Sequence, residues 1–126
     1  MIRKGEGEVT IQTLAMPADT NANGDIFGGW LVSQMDLAAG VMAKRISKGR
    51  VATVAINSMT FLRPVHVGDI VSCRVRLERQ GRTSMTFSVE AWVQPAAGGD
   101  SYPVTEGTFV FVAIDQSGRS RPIEAS

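Results

Sequence analysis

"DTNANGDIFGGWLVSQMD", residues 19–36, joins two kinds of chain. Its first half is turn chemistry: Asn21, Asn23, Gly24 and Asp25, then Gly28-Gly29. Such residues tolerate left-handed backbone or bond their own main chain, so they interrupt an element rather than extend it. Its second half opens an apolar helix expected from Gly29 to about Ser47. Lys44, Arg45 and Lys48 suit that helix's C-terminal end, and Gly49 follows it. One carboxylate, Asp36, is set inside the helix.

On a wheel of about 100° per residue, Leu31, Met35, Ala38, Met42 and Ile46 form one apolar stripe. Trp30, Leu37 and Val41 form a second beside it. A helix apolar nearly all round has to be covered by the sheet, by a second copy, or by both. Asp36 falls between the stripes, with Gly29, Val32, Gly40 and Ala43 at helical spacing. Small residues there leave a groove beside the acid. The plain alternative is an acid turned to solvent or bonded to nearby backbone. Gly28-Gly29 has two readings as well. It allows a tight entry into the helix, and it leaves backbone N–H groups open to a carbonyl oxygen.

Outward from this stretch the chain reads as strands. EVTIQTLA (8–15) precedes it, after which 16–29 is loop. Strands are expected at Val51–Leu62, Ile70–Arg79, Thr83–Val93 and Val104–Ile114. The links "RPVHVGD", "QGR" and "PAAGGDSYP" are hairpin-length and turn-rich. Short links require an antiparallel sheet. The reading is therefore one α+β domain over 1–126, with one helix covering one sheet face.

The bulk properties exclude several classes. A formal net charge of +1 gives no global field for nucleic acid or membranes. No basic arm, zinc-type cluster or RNA-binding signature is present. The single cysteine, Cys73, allows no internal disulfide, and its alternating context predicts a buried thiol. A reducing compartment, the cytoplasm, fits. MIRKGEGEV lacks the apolar segment of a signal peptide, and no apolar run is long enough to span a bilayer. The one histidine, His66, reads as a turn residue with no Ser or Cys nucleophile motif beside it, which argues against a Ser-His-Asp hydrolase. No metal-ligand spacing or phosphate loop is present. Gly81-Arg82-Thr83-Ser84 and Gly118-Arg119-Ser120-Arg121 are basic and hydroxyl-rich. Each suits a bound phosphate, and each suits a solvated turn.

Gly29 and Asp36 are seven residues apart, so they lie about 10 Å apart along one helix. A reacting carbonyl has to sit about 3 Å from its N–H donors and close to its attacking group. One helix does not easily serve both at one point. Two helices packed antiparallel about a two-fold axis bring the loop of one copy to Asp36 of the other.

"LAMPADTNANGDIFGGWLVSQMD", "GRVATVAINSMTFLRPVHVGD" and "TFVFVAIDQSGRSRP" together resemble the YciA-type acyl-CoA thioesterases of the hotdog-fold superfamily. The likeness runs from about Ile11 to Pro122. It implies a hotdog fold: a long central helix wrapped by a curved antiparallel β-sheet of about five to six strands. It also implies a homodimer, commonly built into a trimer of dimers, that hydrolyses acyl-CoA to free acid and CoA. Residue by residue, it implies Asp36 as general base or nucleophile and Asn21 as a loop residue serving the opposite copy's acid. It implies Gly28 and Gly29 as the pair whose N–H polarises the thioester. No metal or redox cofactor is implied, the CoA moiety being part of the substrate. Two positions depart from the pattern: Phe27 stands where many relatives carry His, and Leu37 where many carry a second acid. Phe27, Arg82, Thr83, Ser84, Arg119 and Arg121 are the expected substrate contacts, the arginines toward the CoA phosphates. Two other readings compete: a hydratase or dehydratase, which needs a loop His paired with an acid, and a non-catalytic acyl-CoA-binding module.

Overall fold

The computed structural model describes residues 6–123, so the reading of Met1–Gly5 as lacking a leader lies outside them. The elements are β1 (Glu8–Leu14), a 3-10 turn (Pro17–Asp19), α1 (Gly28–Ser47), β2 (Val51–Phe61), β3 (Ile70–Gln80), β4 (Ser84–Gln94) and β5 (Tyr102–Ala113). The strands form one antiparallel sheet in the order β1-β3-β4-β5-β2. The chain thus leaves one edge after β1, crosses the sheet as α1, and returns at the opposite edge as β2. Helix α1 packs against all five strands. This is the α+β arrangement expected from the sequence, with five strands.

Alternation sets the register. Val71, Cys73, Val75 and Leu77 of β3 face Val93, Ala91, Val89 and Phe87 of β4 on the helix side. Across β4, Phe87 faces Phe109 and Met85 faces Phe111. A slip of one residue would turn this whole set to the other face. Phe87, Phe109, Met85 and Met35 are fully buried, and each such side chain contributes about 1.5–3 kcal/mol. Phe87 and Phe111 meet edge to face, with centroids 5.9 Å apart. Cys73 is buried among them, and its burial pushes the thiol up to about 12, so it is an inert apolar side chain.

Strand β5 starts at Tyr102, two residues before the expected Val104. Pro103 ends the link "PAAGGDSYP". The ladder shifts register between Ala91 and Trp92 opposite it, so the missing Pro103 N–H leaves no gap in regular pairing. At the C-terminal end of α1 it is Lys48, rather than Gly49, that adopts the left-handed conformation, with φ 58°. Its N–H bonds Lys44 O at 2.9 Å. A side chain is disfavoured in that backbone region. Lys48→Gly is expected to raise stability by about 0.5–1 kcal/mol, read as an increase in the denaturation midpoint. An unchanged or lower midpoint would contradict the capping account.

The helix is covered on one side only. Leu31, Met35, Ala38, Ala39 and Ala43 are buried, while Leu37 and Val41 of the second stripe stay 56% and 41% exposed. Of the alternatives left open by the sequence, the sheet alone does not suffice within one copy.

Candidate active site

Asp36 sits half-buried on α1, between the buried stripe and the exposed one. Thr53 of β2 donates its hydroxyl to Asp36 Oδ1 at 2.7 Å. Among the described residues, nothing else donates to this carboxylate. Thr53 pairs with Phe111, which places it on the helix side of β2, and the ladder shifts register just after it. Sequence reasoning missed Thr53, treating it as one residue of a β-rich run. The available signal was a hydroxyl on a core-facing position of that run. Leu37 follows Asp36 and Val54 follows Thr53 in the chain, and both are more than half exposed. Val41 of α1 and Ile56 of β2 are exposed as well, so the two elements that hold Asp36 and Thr53 carry exposed apolar side chains, a composition typical of an interface.

The loop before the helix is closed on itself. Asn21 Oδ1 accepts the N–H of Asn23 at 2.9 Å and of Asp25 at 3.2 Å. Asn21 N–H bonds Asp25 O at 2.6 Å, and Gly24, at φ 81°, returns its N–H to Asn21 O at 3.1 Å. Asn21 is thus the organiser of the turn. Its side-chain amide nitrogen donates to no described group. The loop is anchored outside itself by Ile26 N–H on Val65 O at 3.0 Å and by Phe27 N–H on Asp19 O at 3.0 Å. His66 Nδ1 lies 3.3 Å from Asp25 Oδ1, so the lone histidine tethers two loops, as a turn residue would.

Helix α1 begins at Gly28, one residue earlier than expected. Trp30 and Leu31 give their N–H groups to Phe27 O at 3.1 and 3.3 Å. The N–H groups of Gly28 and Gly29 donate to no described acceptor. They point from the positive end of the helix dipole. The two glycines differ in what they allow. A Cβ on Gly28 would come within 3.1 Å of Phe61 Cε1, whereas one on Gly29 would meet nothing within 4 Å. Gly28 is there for packing; Gly29 faces open space. Asn21, Ile26, Gly28, Leu31, Phe61 and Val65 line a cleft of about 340 Å³. Phe27 is half-exposed beside it, in the N-cap position. Asp36 does not line this cleft. One copy therefore brings Asn21 and Gly28 together and leaves Asp36 apart from them.

The two basic turns come together at the other end of the helix. Ala113 N–H bonds Thr83 O at 2.9 Å, and Ile123 N–H bonds Arg82 O at 2.8 Å. The 115–119 turn is satisfied internally. Asp115 Oδ1 accepts Ser117 Oγ at 2.6 Å, Ser117 N at 2.8 Å and Arg119 N at 3.1 Å. The Ser117 hydroxyl first, then the Arg119 N–H, hold this carboxyl below its usual range. Arg121 is spent on structure. It donates to Ile114 O at 2.9 Å, Ser47 O at 3.3 Å and Arg50 O at 3.4 Å, and only a glycine at position 49 leaves room for it. Three of its five N–H donors thus serve backbone carbonyls, so its guanidinium is held against the helix end. Arg82 and Arg119 remain exposed, and Thr83 and Ser84 are half-buried beside them.

No described helix is long and apolar enough to cross a membrane. A family model described as "Thioesterase superfamily" matches residues 23–97, which hold the helix, Asp36 and Thr53. The acyl-CoA thioester hydrolase YciA of Salmonella typhimurium is 53% identical over 121 residues, covering 94% of this chain and 91% of that protein. A hexameric thioesterase from Yersinia pestis superposes with a TM-score of 0.93 at 49% identity, over 98% of this chain and 100% of the other. A hexameric hotdog-fold thioesterase of Campylobacter jejuni superposes at 0.88 with 37% identity, over 94% and 91%. With the family model spanning more than half of the chain and YciA matching almost all of it, this chain belongs to the thioesterase superfamily, among its hotdog-fold members of the YciA type.

Proposed function

We propose that the protein hydrolyses acyl-CoA thioesters to the free acid and CoA, in sites shared between two copies. The observation that carries the reading is Asp36: a carboxylate held by Thr53 at the edge of an exposed apolar seam, apart from the loop's free N–H groups. The exposed edge strand β2 pairs with β2 of the second copy, continuing the sheet and covering Leu37, Val41, Val54 and Ile56. The helices then run antiparallel, and the loop of one copy reaches Asp36 of the other. Three such pairs form the hexamer proposed here by analogy with the Yersinia and Campylobacter proteins.

In each site the thioester carbonyl meets the Gly29 N–H, with Gly28 N–H beside it, and the developing oxyanion is stabilised there. Asp36 takes a proton from water. The resulting hydroxide forms the C–O bond, the C–S bond breaks, and the CoA thiolate recovers the proton. If Asp36 attacks the carbonyl itself, an acyl-anhydride forms, and water then cleaves it. A single turnover in ¹⁸O-water labels Asp36 only on that route. The Asn21 amide nitrogen is the loop's remaining donor toward the opposite acid. Base, water and N–H donors supply the whole reaction, with no metal or redox cofactor. Arg82 and Arg119 are the proposed phosphate contacts. Their turns lie near the end of α1 at Ser47, eleven residues beyond Asp36, which is about 16 Å of helix, a span suited to an extended pantetheine arm. Cytoplasm is the proposed setting, since Cys73 carries no partner thiol.

Two measurements test this. A panel of acyl-CoAs should release free thiol. No release from any chain length would leave the non-catalytic binding module as the reading. Thr53→Val removes one hydrogen bond to a charged group, worth about 1.5–3 kcal/mol. It should lower kcat roughly 10- to 100-fold with KM little changed, and Thr53→Ser should restore most of the loss. Equal loss in both variants would show that Thr53 matters for packing, not for holding Asp36.

A further inference from the structure

The loop that carries Asn21 and leads into Gly28-Gly29 is fastened at both ends to one turn, and a buried acid holds that turn. At the start of the loop, Ala15 N–H bonds Asp69 O at 2.9 Å, and Ala15 O accepts Gly68 N–H at 2.9 Å. At its end, Ile26 N–H bonds Val65 O, and His66 faces Asp25, whose backbone N–H and C=O both bond Asn21. Ala15, Ile26 and Val65 are buried, so both fastenings are shielded from water. Asp69 itself is 4% exposed and lies in "PVHVGD", the link from β2 to β3. Its Oδ2 accepts His66 N–H at 2.9 Å, and its Oδ1 accepts Ala96 N–H, from the β4–β5 link, at 3.2 Å. Among the described residues no cation pairs with it. Its charge serves two backbone N–H groups, and charge-assisted bonds of this kind are the strong ones. Gly68 lets the two links meet: it sits at φ 93°, and a Cβ there would come within 3.2 Å of Ala96 Cβ. Asp69 does not line the cleft that holds Gly28.

We propose that Asp69 is a positioning residue for the hydrolysis. Through Val65 and Ala15 it fixes where the loop presents Asn21 and the N–H groups of Gly28 and Gly29 to the opposite Asp36. The inference rests on the hydrolase reading. The chain of contacts is short. Asp69 holds His66 N–H, Val65 is the residue before His66, and Val65 O takes the N–H of Ile26, two residues before Gly28. The same acid's own C=O holds Ala15, where the loop leaves β1. A turn released at Asp69 therefore frees both ends of the loop together. An oxyanion donor has to sit about 2.7–3.1 Å from the developing charge, and a misplacement of about 1 Å costs on the order of 10²-fold in rate. A core side chain that only stabilises the sheet has no such route to the donors.

The test is acyl-CoA hydrolysis together with amide hydrogen exchange, both on the full-length protein well below its denaturation midpoint. Asp69→Asn keeps the shape, but its amide group accepts only one of the two N–H groups. It should lower kcat roughly tenfold or more for every acyl-CoA, with KM within about threefold of wild type. The Ile26 amide should also exchange roughly tenfold faster relative to that of Phe87 in the core of β4. Ala96→Pro is the milder variant. Gly98 N–H bonds Pro95 O at 3.0 Å, so Ala96 is the second residue of a turn, where proline is favoured. The change deletes the N–H given to Asp69, and it should move kcat and Ile26 exchange the same way by a smaller factor. Val75→Ala, a core change further along β3, should lower the midpoint and leave both readouts at wild type. Three results would overturn the proposal: wild-type kcat in folded Asp69→Asn, a raised KM with kcat unchanged, or a Val75→Ala variant as slow as Asp69→Asn. If Asp69→Asn does not fold, wild-type kcat in Ala96→Pro overturns it instead. A wild type that releases no thiol sinks the hydrolase reading; Ile26 exchange then decides by itself whether Asp69 holds the loop, and an unchanged ratio to Phe87 says that it does not.

Discussion

Asp36→Ala is expected to lower thioester hydrolysis roughly 10²- to 10⁴-fold, the usual range for losing a general base, and more if Asp36 is the nucleophile. The fold should survive. Asp36 is half-buried and makes one side-chain hydrogen bond, to Thr53. Alanine is also the better helix former, by up to about 0.7 kcal/mol. The melting temperature should therefore stay level or rise slightly while activity collapses. Asp36→Asn sharpens the result. It keeps the shape and an oxygen that can accept from Thr53, and it removes only the charge and basicity. It should be nearly as inactive as Asp36→Ala. Near-wild-type turnover in either variant would remove Asp36 from the chemistry. A matching drop in stability would make it a structural residue.

The second large effect is expected at Gly29. A side chain there meets nothing within 4 Å of its Cβ, so Gly29→Ala retains the N–H and should cost little. Gly29→Pro deletes the N–H. Proline is tolerated in the first helical turn, where the N–H has no intrahelical acceptor. Loss of one oxyanion donor typically costs about 10²- to 10³-fold in kcat. The pair of variants separates backbone donation from steric fit. If alanine is as damaging as proline, the open space at Gly29 serves substrate entry and the N–H is not the donor. If neither matters, the donor lies elsewhere on the loop, and Gly28 N–H is the next to test.

Much of this was legible in the chain. The alternation of β3 and β4 named the core face, and the short β3–β4 and β4–β5 links are the antiparallel hairpins they read as, whereas the equally short "RPVHVGD" joins β2 to β3, which are not neighbours in the sheet. The helix pattern marked both stripes, and Asp36 stood out because its neighbours were apolar or small. What stayed hidden was long-range. Thr53 looks like any strand threonine until the sheet order sets β2 against α1. The turn residues around Asn21 name a conformation but not its bonds. Only the folded loop shows Asn21 Oδ1 taken by Asn23 and Asp25. Arg121 and Arg119 look alike in "GRSR", yet one is bound to three carbonyls and the other is exposed. That difference depends on Gly49, seventy-two residues away from Arg121.

The sharing of each site between two copies is the central claim, and co-expression of Asp36→Ala with Gly29→Pro tests it most directly. Each variant alone should be nearly inactive. In a mixed pair, one site combines the intact loop of the first copy with the intact Asp36 of the second, while the other site carries both defects. Random pairing makes about half of the pairs mixed, with one working site of two, so activity should return to about a quarter of wild type. If the mixture shows no more than the sum of the two residual activities, each copy works with its own loop and acid, and the shared site is wrong.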